Sequence, residues 1–118
     1  MNILIVHAHP EPLSFTTALK DQAVRVLEQQ GHHVEVSDLY AMNFNPVASR
    51  EDFTTLKNEE YLNYALEQRH ASQQKLLSTD IQSEIEKVQK ADLLILNFPM
   101  YWTSIPAILK GWIDRVFV

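Results

Sequence analysis

The sequence has 118 residues, a length that suits one domain, and its 46% hydrophobic and 21% charged residues are ordinary for a soluble globular protein. It contains no cysteine, so disulfides and cysteine-ligated zinc are excluded and a reducing compartment is favoured. The formal net charge of −5 argues against nonspecific nucleic-acid binding, which needs clustered Lys and Arg side chains. No N-terminal apolar run is long enough for a signal sequence or a membrane span, so a cytoplasmic location is expected.

The first predicted element is a strand over Asn2–His7. Its apolar run, Ile3–Val6, lacks the alternation of a strand with one wet face, so helices are expected to cover both faces. This pattern predicts the central strand of a parallel sheet.

A loop over residues 7–13 follows this strand and is stiffened by Pro10 and Pro12. Ser14 is placed to cap a helix that begins at Phe15. The start of a helix carries unpaired N–H groups and the positive end of the helix dipole, which together attract phosphate. The sequence therefore predicts an anion site at this turn.

The next segment reads as a helix and a second strand. Apolar residues recur at helical spacing between positions 15 and 30, and Gly31 follows where a C-terminal cap is expected. Alternation around Val34 and Val36 predicts a strand over His33–Ser37, which completes a right-handed βαβ unit. The predicted buried face of the helix consists of Phe15, Leu19, Ala23, Val26 and Leu27.

Between residues 38 and 90 the pattern is weaker, and it predicts a long loop followed by a helix around Asn58–Arg69. Thr79 and Gln82 have the spacing of a capping box for a further helix. The predicted buried stripe of that helix consists of Ile81, Ile85 and Val88.

A third strand is predicted over Leu93–Phe98, again apolar without alternation and therefore expected to be covered on both faces. A second loop follows over residues 99–105, and Pro106 suits the first turn of a final helix. Three strands would leave one apolar edge unpaired, so the 118 residues are expected to be the first part of a larger domain. The apolar stripe of the last helix consists of Leu109, Trp112, Ile113 and Val116.

The loops after the first and third strands are the candidates for a binding crevice, because ligands of open parallel sheets bind beyond the carboxyl ends of the strands. Tyr101 and Trp102 in the second loop could support a flat heteroaromatic ring. With Gly31 and Gly111 as the only glycines, neither a G-x-G-x-x-G motif nor a P-loop is present. A phosphate would instead be held by the N–H groups of Ser14, Phe15 and Thr16 and by the His9 side chain.

Metal binding is the alternative for His7 and His9, which stand two positions apart at the end of the first strand. A third ligand is not evident in the sequence, so no metal is predicted. Solvated surface is the expectation for the remaining histidines, His32, His33 and His70.

Three blocks of the sequence resemble a known family. They are L-I-V-H-A-H-P-E-P-L-S-F-T-T-A-L-K, then S-D-L-Y-A-M-N-F-N-P-V, then A-D-L-L-I-L-N-F-P-M-Y-W-T-S-I-P-A-I-L-K-G-W-I-D-R-V-F. In this order they resemble the flavodoxin-like NAD(P)H:quinone oxidoreductases, the DT-diaphorase family and its bacterial relatives. The resemblance covers most of the chain and implies one α/β domain over residues 1–118, a flavodoxin-like open parallel sheet flanked by helices and cut off after its third strand and the following helix.

The resemblance implies an FAD cofactor, with FMN as the alternative, and a two-electron, ping-pong hydride transfer from NAD(P)H to quinone in a homodimer. His9 and the segment Ser14, Phe15 and Thr16 resemble the residues that bind the pyrophosphate. Often the family has Asn where this chain has Thr16, and frequently Phe-Gly where it has Thr103-Ser104. The segment resembling the one along the isoalloxazine ring consists of Pro99, Met100, Tyr101, Trp102 and Thr103. The family's second flavin loop and its catalytic Tyr and His are expected beyond Val118.

Two other functions stay open. One is a flavodoxin-like ancillary subunit that binds a potassium-efflux transporter in the membrane, because the family contains such proteins. The other is a zinc-dependent sugar deacetylase, because A-H-P-E looks like the A-H-P-D-D-E motif of that group. Glu11-Pro12 in place of the acidic pair argues against the deacetylase.

Overall fold

Three parallel strands form one sheet in the order β2-β1-β3, with β1 in the centre as the sequence predicts. The computed structural model describes residues 1–118. None of its helices is both long and apolar enough to cross a lipid bilayer. The elements are β1 (Asn2–His7), α1 (Phe15–Gln29), β2 (His33–Asp38), a 3₁₀ turn (Arg50–Asp52), α2 (Tyr64–Gln74), α3 (Thr79–Lys90), β3 (Leu93–Asn97) and α4 (Ala107–Val116).

The core lies on both faces of β1. Leu4 and Val6 of β1 and the following Ala8 join an apolar cluster with α3 and α4, whereas Ile3 and Ile5 point to the opposite face, where α1 packs. All five side chains are buried, which confirms the strand predicted to be covered on both faces. The helices thus flank the sheet on both sides in a doubly wound arrangement.

The third strand is less covered than the sequence predicts. Leu93 is exposed and the rest of β3 is half-buried, because β1 is its only strand partner and its other edge is unpaired. The prediction that β3 is covered on both faces is therefore wrong for these 118 residues.

The apolar face predicted for α1 is also wrong at its N-terminal end. Phe15 is 77% exposed and Leu19 is 48% exposed, and Thr17 is the one buried residue of the helix. Phe15 and Leu19 therefore lack the contacts that half-bury Val26 and Leu27 further along the helix. Gly31 ends the helix as predicted, with φ +90° in the left-handed region.

The helix predicted over Asn58–Arg69 starts later, at Tyr64. Asn63 caps α2 by accepting the Leu66 N–H at 3.3 Å. Glu67 lies in the first turn of α2, and its buried carboxylate accepts N–H groups from two residues before the helix, Lys57 at 2.9 Å and Asn58 at 3.0 Å. These two N–H bonds, led by that of Lys57, lower the pKa of Glu67. They hold the segment before α2 as a loop, because those N–H groups are no longer free to enter a helix.

The capping box predicted for α3 does not form. Ser78 rather than Thr79 is the N-cap, and its hydroxyl donates to Asp80 Oδ1 at 2.6 Å, which also accepts the Ile81 N–H at 2.9 Å. The predicted apolar stripe is confirmed, since Ile81 and Ile85 are buried and Val88 is half-buried.

A buried ion pair ties α4 to the middle of the chain. Arg115 is 2% exposed and donates to Asp52 at 2.8 Å, to Asp80 at 2.8 Å and to the Asn45 carbonyl at 2.7 Å. Tyr64 donates its hydroxyl to the same Asp52 carboxylate. Although burial opposes charge, the bonds to Asp52 and Asp80 raise the pKa of Arg115, so the guanidinium stays charged inside the protein.

Candidate functional site

The carboxyl ends of β1 and β3 lie side by side. His7 is the strand partner of Asn97, and the Ala8 N–H extends the ladder by donating to the Asn97 carbonyl at 3.0 Å. The first loop (residues 8–13) and the second loop (residues 98–106) therefore leave the same edge of the sheet. The Asn97 amide nitrogen also donates to the Thr16 carbonyl at 3.0 Å, which joins the end of β3 to the start of α1.

The first loop is folded around Glu11. Its N–H donates to His9 Nδ1 at 3.0 Å, and its carboxylate accepts the Leu13 N–H at 3.2 Å. The Glu11 carbonyl accepts the Ser14 N–H at 3.2 Å. Because His9 Nδ1 is an acceptor, Nε2 is the nitrogen of the half-buried His9 ring that can donate to a ligand.

The start of α1 presents free donors. Ser14 caps the helix by accepting the Thr17 N–H at 3.0 Å. The N–H groups of Phe15 and Thr16 have no acceptor within the protein. They point out of a helix N-terminus, where the dipole favours negative charge, so this turn can bind an anion such as phosphate.

The second loop forms a tight turn that projects apolar side chains. Tyr101 and Ser104 exchange backbone hydrogen bonds of 2.9 and 3.1 Å around Trp102 and Thr103, which have φ of +49° and +62°. Trp102 is 98% exposed, and Met100 and Tyr101 are also exposed. Pro99 is half-buried. The turn therefore offers an aromatic surface at the same edge of the sheet as the free donors of α1.

The predicted site residues do not all line one pocket. A cavity of about 390 Å³ lies beside the first loop, where α1 and β2 meet it, and His9 is the one predicted site residue that lines it. The exposed residues of the second loop, 100–104, face open solvent, and no residue of that loop lines this cavity. The two loops thus share an edge but do not enclose a common pocket. The cavity is lined by His7, His9, Pro10, Pro12, Thr17, Lys20, Asp21, Asp38, Tyr40 and Ala41.

His7 and Asn97 are the residues of this edge whose roles the sequence did not predict. His7 is buried, with Nδ1 3.0 Å from the Asn97 amide nitrogen and Nε2 3.3 Å from Thr17 Oγ1. Burial lowers the pKa of His7 and outweighs the charge of Asp38, which would raise it. Both ring nitrogens are engaged, so His7 is not free to act as the metal ligand considered as an alternative. No three His, Asp or Glu side chains are grouped to hold a metal ion.

Comparison with known proteins agrees with the fold described above. A family model described as a flavodoxin-like fold matches residues 1–118. Human ribosyldihydronicotinamide dehydrogenase [quinone] is 55% identical over 115 residues, which are 97% of this chain and 50% of the human protein. Rat NAD(P)H dehydrogenase [quinone] 1 is 50% identical over 116 residues, which are 98% of this chain and 42% of the rat protein.

This chain belongs to the flavodoxin-like fold family.

Solved structures of the family superpose closely on this family member. The crystal structure of a Klebsiella pneumoniae protein assigned as a quinone reductase matches with a TM-score of 0.95 and 45% identity, over 99% of this chain and 45% of that one. The NAD(P)H:quinone oxidoreductase of Methanothermobacter marburgensis matches with a TM-score of 0.80 and 33% identity, over 99% of this chain and 53% of that one. The chain thus spans about half the length of the relatives it matches.

The residues present fit part of a flavin site. Two unpaired N–H groups at a helix start suit a phosphate, and an exposed Trp beside a Tyr suits a planar ring. The free Nε2 of His9 adds a side-chain donor on the first loop.

Proposed function

We propose that the protein built on this chain is an FAD-dependent NAD(P)H:quinone oxidoreductase that works by a ping-pong, two-electron mechanism. When bound, the flavin would take a hydride from NAD(P)H and deliver it to a quinone. The names of the relatives support the substrates, because they are NAD(P)H or ribosyldihydronicotinamide quinone dehydrogenases. FAD rather than FMN is proposed because a pyrophosphate gives two phosphates to match the donors of the first loop and of α1.

The start of α1 has the role of binding phosphate. Phe15 and Thr16 would donate their N–H groups to it, and His9 Nε2 would donate from the other side. Backbone donors need no positive side chain, which agrees with the chain's net charge of −5. These groups orient the cofactor rather than react with it.

The second loop has the role of supporting the flat ring. Tyr101 and Trp102 would lie against the isoalloxazine face, with Pro99, Met100 and Thr103 lining the same segment. Covering this face would also exclude water from it, which limits side reactions at the ring. Thr103 and Ser104 stand where the family often has Phe-Gly, so we propose a more polar quinone pocket.

The observation that carries the proposal is the meeting of two different loops at one sheet edge, one with free N–H donors and one with exposed aromatic rings. We also propose a homodimer, since Phe15 and Trp102 are exposed apolar side chains at this edge. A partner subunit would cover them and help to close the site.

The test measures flavin binding by the full-length protein. We expect purified protein to carry FAD and to oxidise NAD(P)H with a quinone. Trp102→Ala should weaken FAD binding by about 10- to 100-fold, because stacking on an aromatic side chain contributes about 1–3 kcal/mol. Val47→Ala, which truncates an exposed apolar residue elsewhere, serves as the control. A full-length protein that stays colourless in excess FAD would refute the proposal.

A further inference from the structure

His7 occupies an unusual place for a histidine, at the end of the central strand and only 1% exposed. Its ring bridges two elements that are far apart in the sequence. Nδ1 lies 3.0 Å from the Asn97 amide nitrogen at the end of β3, and Nε2 lies 3.3 Å from Thr17 Oγ1 in the first turn of α1. The same Asn97 nitrogen donates to the Thr16 carbonyl at 3.0 Å, which closes the bridge.

One arrangement of protons satisfies this network. The Asn97 nitrogen faces a carbonyl, which only accepts, so it is the NH₂ group and His7 Nδ1 must accept from it. Nε2 therefore carries the proton of the neutral ring and donates to Thr17 Oγ1. The Thr17 hydroxyl in turn donates to the Glu11 carbonyl at 2.9 Å and accepts from Ser14 Oγ at 2.9 Å.

We propose that His7 is a positioning residue, which in its neutral Nε2–H form fixes the start of α1 between the first loop and the end of β3. This inference rests on the proposed function, because the fixed turn carries the Phe15 and Thr16 N–H groups assigned to the cofactor phosphate. His7 does not reach the cofactor itself and acts through Thr17 and Asn97.

Protonation of His7 opens this network. A second proton on Nδ1 would face the NH₂ group of Asn97, which must then rotate and release the Thr16 carbonyl. The charged and titratable groups around the ring are Asp38 at the end of β2, Lys20 and Asp21 on α1, and His9 on the first loop. Asp38 and Asp21 favour the proton, whereas burial, Lys20 and His9 oppose it and prevail. The turn is therefore fixed at neutral pH and released in acid.

The first measurement needs no cofactor. Long-range ¹H–¹⁵N NMR spectra of the full chain should show His7 as the neutral Nε2–H tautomer at pH 7, with a pKa below the ordinary histidine value of 6.5. The protection of the Thr17 amide against hydrogen exchange, measured relative to the intrinsic rate at each pH, should decrease on acidification and in Thr17→Val, which removes the hydroxyl at similar volume. Thr17→Ser keeps the hydroxyl and should restore slow exchange.

The second measurement follows FAD affinity against pH. We expect Thr17→Val and His7→Phe to bind FAD about three- to tenfold more weakly at pH 7, the factor that corresponds to one lost hydrogen bond. In the unaltered chain the affinity should fall as His7 titrates, and in His7→Phe this step should disappear. His33→Gln should keep both the affinity and the step.

The outcomes separate the two ideas. A cationic or Nδ1–H His7 at pH 7 overturns the positioning role, as does His7→Phe with unchanged FAD affinity and unchanged Thr17 exchange. If the full-length protein takes up no FAD at all, the proposed function is overturned instead. The tautomer and the Thr17 exchange rates then still decide whether His7 fixes the turn.

Discussion

Individual residues at the carboxyl edge of the sheet combine buried polar bonds with exposed apolar groups. His7 and Thr17 are buried and fully hydrogen-bonded, while Phe15, two positions from Thr17, is 77% exposed. Such a contrast is typical of a rigid support that presents a surface to something else. Predictions at this scale concern the titration of His7 and the backbone of Thr103.

The stability of the protein should depend on the protonation of His7. Burial lowers the pKa of His7 from its ordinary value of 6.5, so the unfolded chain takes up a proton at a higher pH than the folded protein does. The contribution is complete above pH 6.5 and decreases as the pH falls below that value. Urea unfolding at about pH 7.5 and about pH 5.5, roughly one unit on either side of the ordinary histidine pKa, measures the difference in the free energy of unfolding.

The comparison uses His7→Phe, which should lose part of this acid sensitivity, and the exposed His33→Gln, which should retain it. Equal loss of stability in acid for His7→Phe and the unaltered chain would show that other groups are responsible.

Thr103 is strained by its backbone. Its φ of +62° lies in the left-handed region, which is unfavourable for a β-branched residue. Thr103→Asn should raise the free energy of unfolding by about 0.5–1 kcal/mol, since Asn tolerates this conformation. Thermal unfolding measures the change, and Thr79→Asn, at a helical position with negative φ, should bring no such gain. A destabilised Thr103→Asn would mean that the Thr103 hydroxyl bond to the Trp102 carbonyl outweighs the strain.

Elements of the fold are joined by polar bonds that cross long stretches of sequence. Arg115 near the end of α4 pairs with Asp52 of the 3₁₀ turn and Asp80 of α3. Glu84 of α3 accepts the Trp112 indole N–H at 3.0 Å and the Ser37 hydroxyl at 2.7 Å, which joins α3 to α4 and β2. Gly111 adds close packing, because a Cβ at this position would overlap the backbone of Pro46.

Removing Arg115 should strongly destabilise the protein. Arg115→Met leaves the Asp52 carboxylate buried without its cation, which costs about 3–5 kcal/mol. Lys110→Met, which removes an exposed ion pair with Asp114 on the same helix, should cost about 0–1 kcal/mol and is the matched control. Adding Asp52→Asn to Arg115→Met should recover part of the loss. Denaturant unfolding measures all four proteins, and similar losses for Arg115→Met and Lys110→Met would contradict the role of the buried pair.

The sequence correctly predicted the elements that have a clear local apolar pattern. β1 is an unbroken apolar run, and α3 has a clear apolar stripe, so both lie where predicted. The prediction of a helix in the segment before α2 was wrong because the Glu67 carboxylate, ten positions away from Lys57, accepts backbone N–H groups of that segment. The partner of His7 is 90 positions away at Asn97, and no local pattern could have indicated it. A polar residue at the end of an apolar strand was the one available signal.

At the scale of the whole molecule, apolar side chains are exposed at the carboxyl ends of the strands, and the outer edges of β2 and β3 have no strand partner. Leu13 is 91% exposed, Phe15 77% and Trp102 98%. Apolar surface and open strand edges promote association. The candidate site is also open. Its predicted residues lie at one edge of the sheet, but only His9 among them lines the first-loop cavity. The sequence predicted both the edge and an incomplete site, but it did not predict which side chains are left exposed, because exposure depends on what packs against them.

The 118-residue polypeptide should therefore associate as its concentration rises. Light scattering coupled to size-exclusion chromatography measures this, and a dye that fluoresces on apolar surfaces should bind strongly. Leu13→Glu combined with Phe15→Glu should reduce both signals, whereas Val47→Glu, at an exposed site elsewhere, should reduce them less. A strictly monomeric polypeptide that does not bind the dye would contradict the prediction.

The central position of β1 also constrains how the chain can fold during synthesis. Its first neighbour, β2, ends at Asp38, but its second neighbour, β3, begins only at Leu93. At about 5–20 residues per second, the ribosome needs roughly 3–11 s to make the intervening segment. During that interval the nascent βαβ unit would expose the edge of β1 that later pairs with β3. Chaperone capture of ribosome-bound intermediates should therefore peak before residue 93 has left the exit tunnel and decline once it has emerged.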